Sequence, residues 1–317
     1  MNAPGNNQMI APKIHKQLVN ACAVETTNTI LADLGDRWFT LLLDEARDCS
    51  VKEQMEVVIR YVNKYGEVIE RFMAVVHVAT TTTACLKEAI DSLFAKYGLS
   101  VARLRGQGYD GASNMSGEFN GLKSLIMEKK SVIDIILQEM DSRFSETTTD
   151  LLINMSCLDP RNSFSRFDAQ KLVRLAHFYE DDFSWNERML VEQELETYID
   201  DVRSDEWFEG ISDLGALAKK MIETMKNRVF PLVYRMIELA LLLLVATATV
   251  ERVFSAMNIV KTDLRNKIGD EWMNDSLAVY IEKDVFNTVD NELILQSFSE
   301  HGVSKNAIVT SRPPLHD

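Results

Sequence analysis

The sequence of 317 residues is poor in cysteine and proline and has no long apolar run. Its four cysteines, Cys22, Cys49, Cys85 and Cys157, are scattered and never fall in C-x-x-C spacing. That argues against a structural zinc site and against a disulfide framework, and fits a reduced, intracellular protein. The N-terminus lacks a basic stretch followed by an apolar one, so no secretory leader is expected. The longest uncharged apolar run, Leu239 to Val250, is shorter than the roughly 20 residues needed to cross a bilayer, which excludes a membrane-spanning reading. No dense basic cluster marks a nuclear address. Histidines are few: His77 on an alternating strand and His177 on a helical face read as packing residues rather than ligands, and His15, His301 and His316 lie near the ends.

What the chain does have is acid, placed unevenly. Residues 1–130 hold 15 basic and 15 acidic side chains, so the whole net charge of −14 belongs to residues 131–317. An acidic half repels phosphate backbones. A nucleic-acid contact would use the neutral half, around Arg103, Arg105, Lys123, Lys129 and Lys130, although such charges are usually a solvated face. The length suits about two domains.

Periodicity orders the first half. Ile14 to Leu34 carries a helical face and stops at Gly35. Apolar runs at Trp38–Leu43, Met55–Val62 and Val68–Val78 read as three meandering strands, with Lys64-Tyr65-Gly66 as a turn. A helix over about Ala84–Tyr97 follows, then a fourth strand at Val101–Arg105 and a glycine-rich turn, Gly106 to Gly111. Another helix is expected over about Gly117–Glu128. Beyond Lys130 the pattern is helical: Phe167–Phe178, Arg188–Val202, Leu214–Tyr234 with a break near Pro231, Val250–Val260 and Glu271–Phe286. Strand, strand, strand, helix, strand, helix is the order of the first part of an RNase H-like core. The fold class is therefore α/β plus all-α.

The chain is organised around Thr247-Ala-Thr-Val-Glu-Arg-Val-Phe-Ser255, which follows the most apolar segment, Leu239 to Val245. Glu251 stands where this apolar wall meets a helix, and a carboxylate in such a place needs a partner. Asp44 closes an apolar strand and Asp110 follows another. Two strand ends can bring two carboxylates close enough to share a magnesium ion, and a third can arrive from a helix. Each also has an ordinary reading. Asp44 suits a strand-to-loop turn, Asp110-Gly111 is a turn signal, and Glu251 suits a first helical turn.

Three motifs carry a resemblance: Leu43-Asp-Glu-Ala-Arg-Asp48, Gly106-Gln-Gly-Tyr-Asp-Gly-Ala-Ser-Asn-Met115, and Val245 to Met257 with Leu264-Arg-Asn-Lys267 and Leu277 to Glu282. The chain resembles hAT-superfamily transposases, in particular transposon-derived proteins of the zinc finger MYM-type protein 1-like kind, in two blocks spanning nearly its whole length. The resemblance implies that Asp44, Asp110 and Glu251 match an ancestral catalytic triad of DDE-type DNA transposition, binding Mg²⁺ or Mn²⁺. It also implies a dimerisation surface from Val253, Phe254, Met257, Leu264, Met273, Leu277, Tyr280 and Ile281. The further strand with a Cys and His motif, the large helical insertion and the N-terminal zinc finger of those proteins have no counterpart here. Their absence would leave a sheet edge exposed.

The resulting division is a tail (1–13), the N-terminal part of an incomplete RNase H-like core (14–130), a helical connection (131–229), a helical hAT dimerisation region (230–290) and a C-terminal segment (291–317). The expected protein is a domesticated, non-catalytic homodimer, nuclear by family or else cytoplasmic, with DNA as a partner by resemblance only and no small-molecule substrate. The alternative is a metal-dependent DNA transposase or nuclease using the three acids.

Overall fold

A computed structural model describes residues 11–47, 53–78, 83–109, 146–243, 248–261 and 268–301. Helix α1 (Pro12–Leu34) starts with proline, whose missing N–H costs nothing in a first turn, and ends at Gly35, with φ 53° and its N–H on Leu31 O at 2.9 Å. Strands β1 (Phe39–Arg47), β2 (Glu53–Val62) and β3 (Val68–His77) form an antiparallel meander. Helix α2 (Thr83–Tyr97) then returns the chain so that β4 (Leu104–Tyr109) lies parallel to β1. The sheet order is β3-β2-β1-β4.

The first half of β1, Phe39 to Leu43, is apolar apart from Thr40 because both of its faces are covered. Phe39, Leu41 and Leu43 point to one face, under Ile30 and Leu34 of α1 and Ile90, Leu93 and Phe94 of α2. Leu42 points to the other, with Val58, Phe72 and Val75. That second face is roofed by α8 (Ala248–Val260) and α9 (Asp270–Ile281), through Val253, Ala256, Met257, Met273 and Leu277. The fourth strand begins later than the sequence suggests. Val101–Arg103 is a 3-10 turn, with Ser100 Oγ accepting the Ala102 N–H. Gly106 and Gly108, taken for part of a turn, are strand, while Gly111 lies outside the described residues. Gly106 is needed there, since a Cβ would stand 2.8 Å from Thr40 Oγ1.

A second core is helical. It joins α3 (Glu146–Ser156), α4 (Ala169–Phe178), α5 (Trp185–Ser204), α6 (Leu214–Glu223) and α7 (Pro231–Leu243). Tyr198 of α5 packs edge-on against Phe164 and Phe230 in this core. Acidic caps begin its helices: Asp168 for α4, Asp213 for α6, and a Ser184–Glu187 capping box for α5. This core runs unbroken across residues 229 and 230 into α7.

Helix α7 ties the two cores together by its ends. At its start Glu194 Oε1 accepts the N–H groups of Leu232 and Val233 at 2.7 and 3.0 Å, which places a carboxylate where the helix dipole favours one. At its end the sheet supplies the donors: Thr40 Oγ1 to Leu242 O at 2.9 Å and Arg60 Nε to Leu241 O at 3.1 Å. These are carbonyls that a helix cannot satisfy internally.

The edge strand β3 is closed by side chains. Asn274 of α9 pairs with Val75 in both directions, accepting its N–H at 2.6 Å and donating to its carbonyl at 2.5 Å, as another strand would. Glu282 accepts the Phe72 N–H at 2.7 Å and pairs with Arg71 at 2.9 Å. Helix α10 (Asn291–His301), which lies in the stretch read from the sequence as a C-terminal segment without an assigned element, places Ile294 and Phe298 against Ala21 of α1.

Candidate acidic site

Asp44 sits near the end of β1, half-buried, on the face that also carries Thr40 and Leu42. Its partner across the antiparallel ladder is Glu56 of β2, and the next strand sets Val75 opposite Glu56. Glu56 is 0% exposed, and neither carboxyl oxygen has a hydrogen-bond partner among the described residues. Burial, and after it the charge of Asp44, pushes Glu56 up to about 8. Near neutral pH, with nothing bound, Glu56 is therefore mainly a neutral acid beside an aspartate.

The parallel pairing of β1 with β4 ends at Leu43 and Tyr109. These residues immediately precede Asp44 and Asp110 in the chain. Asp110 itself lies outside the described residues. Helix α8, which bears Glu251, packs across the same face of β1 and β2. The side chain of Glu251 is outside the described residues too. The structure thus describes one member of the three-acid set in full, and adds Glu56, which sequence reasoning missed. The signal was present: a lone acid inside Met55-Glu-Val-Val-Ile59, at a position where neighbours on both sides are apolar. Among the described residues no group of three or more His, Cys, Asp or Glu converges as a metal cluster.

The residues assigned to dimerisation divide. Val253, Met257, Met273 and Leu277 are buried against the sheet of their own chain, and Ile281 packs beside them. Phe254 and Tyr280 are 40% and 52% exposed, and Leu264 lies outside the described residues. Two readings of basic and histidine residues are corrected. Arg105 is not on a nucleic-acid face: it is buried, stacked 4.8 Å from the Trp38 ring centroid and paired with Asp182 of the α4–α5 connection. His77 and His177 are exposed rather than packed, because the strand end and the helix face that hold them look outward. No described helix is long and apolar enough to cross a membrane.

Residues 1–121 match the family model DUF4371, described as ZMYM1/FAM200, RNase-like domain. The matched stretch contains α1, the whole four-stranded sheet, Asp44, Glu56 and Asp110. It stops short of the helical core and of Glu251. The first third of the chain is therefore similar to a ZMYM1/FAM200-type RNase-like domain, and the observed mixed sheet with flanking helices agrees with it.

Proposed function

We propose that the chain is a transposase-derived protein on an RNase H-like sheet, and that it keeps the acidic centre of DDE-type phosphoryl transfer on DNA. The observation that carries this is the β1–β4 register. It ends one residue short of Asp44 and Asp110, on neighbouring strands, with the Glu251 helix packed over the same face.

The residues fit a hard divalent cation. Carboxylates are the ligands such ions take, and the buried oxygens of Glu56 beside Asp44 lack any protein partner among the described residues. Asp44, Asp110 and Glu251 would hold Mg²⁺ or Mn²⁺. When bound, such a cation supplies charge stabilisation for an oxygen leaving or attacking phosphorus. The chain's own part is placement. Strand β1 carries Asp44 on a paired strand, and the last paired residue of β4, Tyr109, immediately precedes Asp110 in the chain. The apolar roof of Val253, Ala256 and Met257 keeps water from the sheet behind them. The test is nicking of DNA by the full chain with Mn²⁺. Activity lost in Asp110→Asn supports the reading, and activity that persists in that variant removes it.

A second reading is a non-catalytic protein that self-associates through its C-terminal helices. Its support is the exposed apolar set on α8 and α9: Phe254, Ile259 and Tyr280. A chain that sediments as a monomer at micromolar concentration would end this reading.

A further inference from the structure

We propose that Glu56 is a ligand of the same divalent cation as Asp44, a fourth carboxylate supplied by β2. The inference rests on the cation-centre reading above and adds a residue that lies outside the three-acid set. Directly opposite residues of an antiparallel pair project from the same face with Cβ atoms about 5 Å apart, close enough for two carboxylates to share one ion.

Burial makes the case specific. A buried polar group normally has a hydrogen-bond partner, because its lost hydration is otherwise uncompensated. Two other acids that reach into the core obey that rule. Glu282 is 3% exposed and accepts the Phe72 N–H and the Arg71 guanidinium. Glu194 is half-buried and accepts two helix N–H groups. Glu56 is more buried than either, and both its oxygens are unpartnered among the described residues. Its neighbours on the sheet face, Val58 and Val75, and the roof residues Val253 and Met257 are apolar and offer no side-chain donor. A hard cation at Asp44 would satisfy both oxygens at once. Asp44 is half-buried, so the pair meets solvent on its side.

The experiment is a Mn²⁺ titration of the full chain, following the melting temperature and the loss of the free-Mn²⁺ resonance signal. The wild type, Asp44→Asn and Glu56→Gln are compared, with Glu56→Met as a second variant should the amide fail to fold. Wild type is expected to bind Mn²⁺ and to melt higher with it. Asp44→Asn and the Glu56 variants should each weaken binding by about tenfold or more, while the Glu56 variants melt no lower than wild type in chelator. Unchanged Mn²⁺ dependence in both Glu56 variants, with loss in Asp44→Asn, overturns the role of Glu56 and leaves the cation centre standing. No Mn²⁺ binding by wild type overturns the centre, and Glu56 with it.

Discussion

Glu282 and Glu56 are buried to nearly the same degree at the same sheet, yet their surroundings are opposite. Glu282 reaches in from the C-terminal helices to the outer edge of β3, where the Phe72 N–H and Arg71 meet it. Glu56 rises from the middle of the sheet beside another acid, and no described residue hydrogen-bonds to it. Desolvation raises both above the usual carboxylate range. For Glu282 the Phe72 N–H and Arg71 oppose that rise, whereas for Glu56 the charge of Asp44 adds to it. The first glutamate is part of the scaffold: it replaces a missing strand. The second is a cost to the scaffold, and such a cost points to a ligand.

The comparison is broken most directly at Glu282. In Glu282→Ala the Phe72 N–H loses its acceptor and Arg71 keeps the exposed Asp284 as its anionic partner, with Tyr61 beside it. Removing one partner of a buried pair is expected to cost about 4 kcal/mol, seen as a lowered urea midpoint. A loss below about 1 kcal/mol would mean that the edge is held by packing alone.

Glu56 gives the opposite sign, and pH exposes it. Its folded-state pKa, about 8, lies above the ordinary 4.5 of an unfolded glutamate. The folded protein thus holds a proton that the unfolded chain has released. The stability linked to that proton is full below about 4.5 and is lost as pH rises through about 8. In chelator, wild type should lose on the order of 3 kcal/mol relative to Glu56→Gln between these limits. Parallel pH profiles for the two proteins would show that the carboxyl finds a partner after all.

How much of this was legible follows from the same contrast. The order of α1, β1, β2, β3 and α2 could be read from apolar runs and stops, since each is set by local pattern. The fourth strand was misplaced because Val101-Ala-Arg103 looks more strand-like than Gly106-Gln-Gly108. Glycine is chosen there for a close approach to Thr40 across the sheet, which no local rule reveals. Asp44 was singled out as the acid closing an apolar run, although β1 continues past it to Arg47. Glu56 was not, because its meaning depends on which residue stands opposite. The stripe Met273, Leu277 and Ile281 was correctly seen as apolar, yet period alone cannot say whether a stripe faces a partner or its own sheet. The edge-closing roles of Asn274 and Glu282 bridge about two hundred residues of sequence.

Asn274 sharpens the comparison at smaller scale. Its amide holds Val75, the neighbour of Glu56 on β3, through two backbone hydrogen bonds. Asn274→Ala leaves that N–H and carbonyl without these partners, for an expected loss of about 2 kcal/mol. Hydrogen exchange at Val75 should quicken, while Mn²⁺ binding at Asp44 stays within about twofold if the edge and the acidic pair are independent. Faster exchange together with weaker Mn²⁺ binding would join the two regions into one unit.

The smallest expected effect on stability is at the outer surface of the same roof. Phe254 and Tyr280 stand on α8 and α9 facing away from the sheet that Val253 and Leu277 face. Asp and Ser at these two positions remove exposed apolar surface without opening a cavity, so Phe254→Asp with Tyr280→Ser should change folding stability by less than about 0.5 kcal/mol. If the exposed set mediates self-association, the same variant shifts the sedimenting species from dimer to monomer while the urea midpoint of the isolated fold is kept. That pairing of outcomes separates surface from core, which Val253→Asp cannot do: a charge placed among Leu42, Val58 and Met257 would unfold the roof and abolish a dimer for a reason unrelated to contact. A double variant that stays dimeric would move the association surface off these helices, and would leave α8 and α9 with the role the contacts already give them, closing the sheet over Asp44 and Glu56.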